Sequence, residues 1–442
     1  MSACGGVNSG LKPTSQGFPF RWTWRQQLVA LFLLAVIIRL LFDVLIFPHI
    51  ATRMGLLSDD GYDRIARNLA DGFGYVVIAG GPPTMRRVPL YPLFLASVFR
   101  FLGPDLRIVQ AVQAVFDGVT AVLVSVMAGK LFHRRAALIA GALFALYPLS
   151  ILYASRFYTE SLYTMLLCAL VCVVLALMNS GGYGRATVAG LLLGGLALTR
   201  SVTLVMPLFL FPAIIFNRAA SIPLKVRWRA VGIMMIGMGL VLMPWVVRNY
   251  RLTGQVLLGG TTLGAPLYHG YFVSRYWHWG VNPARLHRRA FDERRALIAK
   301  KIPHPESPND EVEANRLVVA AVVQKMAHDP WGMGWRFLRN LVLVWFLTRH
   351  LSVMLLLAGI HFALLLLAGP TVWVIWRRRD ERWALILPLV SIIVCFVAVH
   401  ALIFPFARYL VPIMPLMIAL ASEGVARRLN WLGSGVPSAM TR

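Results

Sequence analysis

Two aspartates stand side by side at Asp59-Asp60, in LLSDDGYDRIARNLADGFGY, and two arginines at Arg86-Arg87, in GPPTMRRVPLYPLF. A carboxylate can take a proton from an attacking hydroxyl, an effect worth roughly 10²–10⁴-fold in rate. A guanidinium beside a rigid Pro-Leu-Tyr-Pro turn can hold a phosphate through charge-assisted bonds of about 1.5–3 kcal/mol. Further charges sit at the ends of apolar runs: Glu160 after the third run, Arg248 in PWVVRNY, and Arg408 in FPFARY. Each feature also has a plain structural reading. Ser58 or Asp59 would cap the short helix that follows, and interfacial arginines contact ordinary headgroups. By residue type and spacing alone, the structural reading of the acidic pair prevails and the two readings of the arginine pair are equal.

The elements that must position these residues are membrane spans. The chain has 442 residues, 58% of them hydrophobic and only 14% charged, against the ~25% typical of soluble domains. Its repeated apolar runs approach the ~20 residues that cross a bilayer. Net charge is +26, but the basic residues fall between apolar runs. Anionic lipid headgroups or phosphate-bearing substrates are therefore the expected partners, and nucleic acid is not. The four cysteines show no disulfide or zinc pattern.

Spans are expected at 27–47, 105–131, 136–155, 161–179, 230–247, 352–376, 383–404 and 409–425. Residues 186–217 are too long for one comfortable span. Arg200 at their middle would cost about 2.5–3.5 kcal/mol at the bilayer centre, so a hairpin turning at Thr199-Arg200 is expected. The result is an all-α integral membrane bundle of about ten spans. With both termini in the cytoplasm, KLFHRR, GGYGR, NRAASIPLKVRWR, WRRRDER and the last ARR all lie inside, as the positive-inside rule requires. The loop 48–104, Glu160, Arg200, the polar stretch 248–336 and FPFARY then share the outer face. Residues 88–102 read as an interfacial helix, and 337–349 stay ambiguous. The division is a cytoplasmic tail at 1–26, a transmembrane module at 27–249, a long external loop with an interfacial segment at 250–351, and C-terminal spans with a tail at 352–442.

The ordered set D-D-x-Y…IARNLA-x-G-x-GY, R-x-PLYPLFLA, PWVVRNY and RYLVPIMPL resembles the GT-C membrane glycosyltransferases. Within them it is similar to glycosyltransferase family 39 and its bacterial relatives, the lipid A aminoarabinose transferases and protein O-mannosyltransferases. The likeness runs over about residues 27–425 and is densest at 56–165. It implies a catalytic first external loop and transfer of a sugar, with inversion, from a polyprenyl phosphate donor to a lipid, glycan or protein hydroxyl. An early acidic residue acts as base, at Asp59 or Asp60. Arg87, with Arg86 and Tyr91 beside it, falls where relatives hold the donor phosphate. Glu160 matches a second acidic position, and Arg248 and Arg408 are further substrate-binding candidates. A sugar–phosphate bond carries its own good leaving group, so neither metal nor other cofactor is required.

Asp117, inside the second span, reads best as a helix-to-helix hydrogen bond, and Asp292-Glu293 and Asp310–Glu313 as solvated loop charges. His269, His278, His287 and His304 lack metal-ligand spacing. A bacterial inner-membrane enzyme working on the periplasmic or extracellular side is expected. The alternative is a transporter or flippase of lipid-linked saccharides, which inverted repeats and charged mid-span residues would favour. The charges here lie mostly in loops.

Overall fold

The computed structural model describes residues 22–51, 60–278, 281–302, 307–348 and 350–433. The first long helix, α1 (Trp24–Leu45), starts at a capping box in which Thr23 and Gln26 satisfy each other's backbone N–H groups. A short α2 (Phe47–Ala51) follows. Two helices then form the first crossing, the polar α3 (Tyr62–Ala70) and the apolar α4 (Leu90–Leu102). Next come α5 (Leu106–Leu131), capped by Asp105, and α6 (Arg134–Ala145), which meets α7 (Pro148–Ala154) at a 49° bend. Then follow α8 (Glu160–Ser180), α9 (Tyr183–Thr199), a 3-10 turn at Ser201–Val205, α10 (Pro207–Ile215) and α11 (Leu224–Thr253).

The stretch 250–351, expected as a long loop with an interfacial segment, folds largely as four helices: α12 (Gly264–Tyr276), α13 (Pro283–Ala299), α14 (Pro308–Ala327) and α15 (Pro330–Leu343). Caps from Asn282, Ser307 and Asp329, with proline at the first helical position, start three of them. The ambiguous stretch 337–349 is in part the end of α15. The chain closes with α16 (Leu351–Arg377), α17 (Trp383–Ile403), a 3-10 turn at Ala407–Ile413 and α18 (Met414–Gly433).

Among the described residues, seven helices are long and apolar enough to cross a membrane, or eight if the bent α6–α7 pair is one span. Residues 186–217 do reverse at Arg200. The Arg229 guanidinium reaches the Tyr183 hydroxyl and Arg227 donates to the Asn217 carbonyl at 2.6 Å. The start of α9 and the end of α10 therefore lie at one end of the bundle, beside the start of α11. Backbone contact locks α9 to α11: a Cβ at Gly190 would sit 2.6 Å from the Met234 carbonyl oxygen. Small residues four apart allow this approach where lipid offers no hydrophobic drive to pair helices. The expected interfacial helix is α4, thirteen residues long, packed on α3 through Tyr62 and Tyr91, whose rings meet edge-on at 5.1 Å.

Asp117 makes the expected helix-to-helix hydrogen bond, from α5 to α1, and its partner is an arginine. Its carboxylate accepts from Arg39 Nε at 2.7 Å, and both side chains are almost wholly buried. The same guanidinium donates to the Ala145 carbonyl at 2.7 Å and to Ser150 Oγ at 2.6 Å. Arg39 thus satisfies a carbonyl released where α6 breaks into α7, as apolar surroundings demand. Arg39→Met should cost about 3–5 kcal/mol, because the Asp117 carboxylate stays buried without its partner. Thermal unfolding in detergent should show a large loss for Arg39→Met and a smaller one for Arg39→Met with Asp117→Leu.

Candidate active site

The chain segments at one end of the bundle bring together charges that are far apart in sequence. Glu160, buried at the first turn of α8, accepts from Arg408 Nε at 2.6 Å. Arg408 is the second residue of the Ala407–Ile413 turn, and its Nη2 also lies 2.8 Å from the Asp60 carboxylate. One guanidinium therefore bridges two carboxylates. Its plane lies over the Tyr158 ring, with the guanidinium carbon 3.6 Å from the ring centre. Arg156 stacks on the same ring at 4.2 Å. Arg200, at the reversal between α9 and its 3-10 turn, stands 3.8 Å from Glu160 and over the rings of Tyr163 and Tyr409. Its buried Nη1 has no hydrogen-bond acceptor among the described residues.

Asp60 is gripped from both sides. Its backbone carbonyl accepts from Arg87 Nε and Nη2 at 2.9 and 2.5 Å while its carboxylate faces Arg408. Gly61 makes this possible. It caps α3 with φ +85, a left-handed conformation that turns the chain so that carbonyl and carboxylate point to different arginines. Arg87 spends its bonds on a neutral carbonyl and lies over the Tyr62 ring at 5.0 Å. No carboxylate among the described residues pairs with it. The site thus gathers Arg87, Arg156, Arg200 and Arg408 around Asp60 and Glu160, an excess of positive charge that suits an anion. Burial alone would push the Asp60 carboxyl up, but Arg408, Arg87 and Arg156 outweigh it and hold it down at about 2.

The other expected site residues lie around this cluster. Asp59 falls outside the described residues, as does Ser58, and the cap position they were expected to fill is taken by Gly61. Tyr91 is fully buried, its hydroxyl donating to Gln113 at 2.9 Å, so it holds α4 against α5. Arg86 is exposed next to Arg87. Arg248 packs between the Tyr75 and Trp245 rings at 5.1 and 5.0 Å. The Tyr75 hydroxyl in turn donates to the Arg87 carbonyl, so Arg248 supports the arginine loop from behind.

Glu311 overturns the expectation of solvated charges at Asp310–Glu313. From the first turn of α14 it accepts from Thr84 Oγ1 at 2.7 Å and from the Met85 N–H at 2.9 Å. The Thr261 N–H closes the same loop onto the Met85 carbonyl. Glu293 is likewise engaged, with Arg289 at 3.1 Å, and Asp310 completes the capping box of α14. Sequence reasoning also left Arg156 unassigned and treated Arg200 only as a turn. The signal for Arg200 was its charge within a long apolar run, a functional pointer by default in membrane proteins. Among the described residues, no three His, Cys, Asp or Glu side chains converge as a metal ion would need.

Among the described residues this architecture is all helical, and its fold is of the GT-C type. Residues 84–247 match the family model described as dolichyl-phosphate-mannose-protein mannosyltransferase. That segment includes Arg87, Glu160 and Arg200 and leaves Asp60 and Arg408 outside it. The fold is similar to the oligosaccharyltransferase of Archaeoglobus fulgidus in its apo form, with TM-score 0.55 and 13% identity over 93% of this chain and 52% of that one. It is also similar to the same organism's AglB in complex with an inhibitory peptide and a dolichol-phosphate, with TM-score 0.53 and 12% identity over 95% and 53%. The chain spans about half the length of these oligosaccharyltransferases. A looser likeness, TM-score 0.40 and 14% identity over 94% and 81%, is to ArnT from Cupriavidus metallidurans bound to undecaprenyl phosphate. No curated protein matches the chain by sequence.

Two outcomes test this geometry. Glu311→Ala leaves the Met85 N–H and Thr84 hydroxyl without their acceptor and should cost about 1–3 kcal/mol, read as a lowered unfolding temperature. The second concerns pH. The Asp60 carboxyl is depressed, so the stability it contributes is complete above its ordinary value near ~4 and is lost as pH falls through about 2. The difference in unfolding temperature between wild type and Asp60→Asn should hold constant from neutral to mildly acidic pH and shrink only in strong acid.

Proposed function

We propose that this chain is a membrane glycosyltransferase that takes a sugar from a polyprenyl-phosphate donor and passes it, with inversion, to a hydroxyl of a lipid, glycan or protein. The observation that carries this reading is the Asp60–Arg408–Glu160 bridge, with Arg87 and Arg200 beside it and, among the described residues, no carboxylate in hydrogen-bonding contact with either. Carboxylates beside surplus guanidinium groups meet the two needs of the reaction. The bond from the anomeric carbon to the phosphate oxygen breaks, and Arg87, Arg200 and Arg408 hold the departing polyprenyl phosphate. The acceptor oxygen bonds to the same carbon from the opposite side and gives its proton to the Asp59-Asp60 pair.

Asp60 clamped by Arg408 is a feeble base at about 2. A donor phosphate that takes over Arg408 weakens that clamp, and the Asp60 carboxyl then rises toward its ordinary value. Donor binding thereby readies the base, and the ligand-free site holds it idle. Asp59, next in the chain, is the other candidate. On this reading the site lies on the periplasmic or extracellular face of a bacterial inner membrane, and no metal takes part.

With a polyprenyl-phosphate sugar and an envelope extract as acceptor source, Asp59→Asn with Asp60→Asn should lower transfer by roughly 10²–10⁴-fold, while the protein still elutes as a folded species. Arg87→Gln should weaken donor binding, and EDTA should leave the rate unchanged. Mass spectrometry of envelope lipids, glycans and proteins, with and without the gene, would name the acceptor. Undiminished transfer by the double aspartate variant would remove the proposed base.

A further inference from the structure

The end of the bundle opposite the charged site carries a second feature. α16 packs closely along α18 and touches α17 little, and between the three helices lies a wedge of about 470 Å³ lined by apolar side chains. That volume falls within the ~300–1,000 Å³ of pockets that bury a small ligand. One face of α16 forms a wall, with Leu365, Ala368, Val372 and Trp376 at helical spacing, and Trp383 and Val390 of α17 face it. Trp373 and Trp376, their ring centres 5.1 Å apart, are each more than half exposed. Gly369 also lines the wedge, and a Cβ there meets nothing within 4 Å.

Directly beyond Trp376 the helix ends in Arg377, Arg378 and Arg379, all exposed and with no carboxylate partner among the described residues. The nearby Asp380 is already taken by Arg382 at 2.6 Å. The turn itself is built in an unusual way. The Asp380 N–H returns to the Ile375 carbonyl and the Arg379 N–H to that of Trp376, the pattern that ends a helix with a left-handed residue. Glycine is the residue such a position favours, yet Arg379 occupies it at φ 53. A third cation is thus held at the mouth of the wedge in a conformation its side chain disfavours.

We propose that this wedge is a binding site for one anionic glycerophospholipid, with an acyl chain between α16, α17 and α18 and its phosphate on Arg377, Arg378 and Arg379. The commitment to an anionic lipid follows from charge complementarity at the mouth. Arginines at a bare interface would meet bulk headgroups only in passing, whereas here the three follow directly on Trp376, a residue of the apolar wedge wall. The tryptophans suit the border between headgroup and chain, where an apolar ring with one polar N–H is at home. This site stands apart from the proposed transfer reaction and does not depend on it.

The test uses the full chain reconstituted in phosphatidylcholine vesicles containing a minor fraction of phosphatidylglycerol, with bromine on the acyl chains of one lipid at a time. The wedge signal is the tryptophan quenching that disappears in the Trp373→Phe, Trp376→Phe, Trp383→Phe variant. Brominated phosphatidylglycerol should quench it with an apparent preference of about fivefold over brominated phosphatidylcholine, the value of one engaged arginine. That preference should vanish in Arg377→Gln, Arg378→Gln, Arg379→Gln, and quenching by either lipid should fall when Gly369→Leu or Val372→Phe fills the slot. Equal quenching by the two lipids at equal content would overturn the proposal. So would a preference that survives loss of the three arginines, or quenching that appears only after residues 434–442 are removed.

Discussion

A guanidinium held largely out of water must find its counter-charges within the protein, and Arg408 finds two. Glu160 comes from the start of α8 and Asp60 from the turn before α3, while Arg408 itself sits ahead of the last helix. Neither carboxylate is near Arg408 in sequence, so the bridge can form only when the first crossing, the middle of the bundle and its C-terminal end are all in register. Buried ion pairs add little net stability once desolvation is counted, but leaving one member alone is expensive. The bridge therefore acts as a check on assembly, and the same groups are those best suited to receive an anion.

The rest of the site is arranged around that bridge. The Tyr158 ring packs against both Arg408 and Arg156, and the Tyr409 ring against Arg200, so aromatic groups attract the positive charges gathered here. The arginine loop is held from two directions, by Tyr75 from below and by Glu311 from α14. This second contact ties the polar helical segment after α11 to the residue proposed to hold the donor phosphate.

Deeper in the bundle the same rule recurs without any catalytic use. Arg39 meets Asp117 and takes the carbonyls exposed where α6 bends into α7. The bend and the arginine belong together: a broken helix among apolar neighbours needs a donor, and a buried arginine needs acceptors. At the opposite end, the described side chains lining the wedge between α16, α17 and α18 are aliphatic, methionine, glycine or tryptophan, and three exposed arginines follow where α16 ends.

Much of this was written in the chain. Apolar run length identified the long helices, since a bilayer sets their minimum length, and the cost of a mid-span charge located the reversal at Arg200. Ile65, Ala66 and Leu69 at amphipathic spacing, followed by Gly72 and Gly74, marked α3 because helical periodicity is a local property. The type and neighbourhood of Asp60, Arg87, Glu160 and Arg408 were likewise readable. Their partners were not. Whether Arg408 faces Glu160 or bare lipid, whether Glu311 is solvated or clamps a loop, and whether Asp117 meets an amide or an arginine all depend on how helices rotate and cross. That rotation is settled by packing among residues tens to hundreds of positions apart, such as Gly190 against Met234, and no local pattern encodes it.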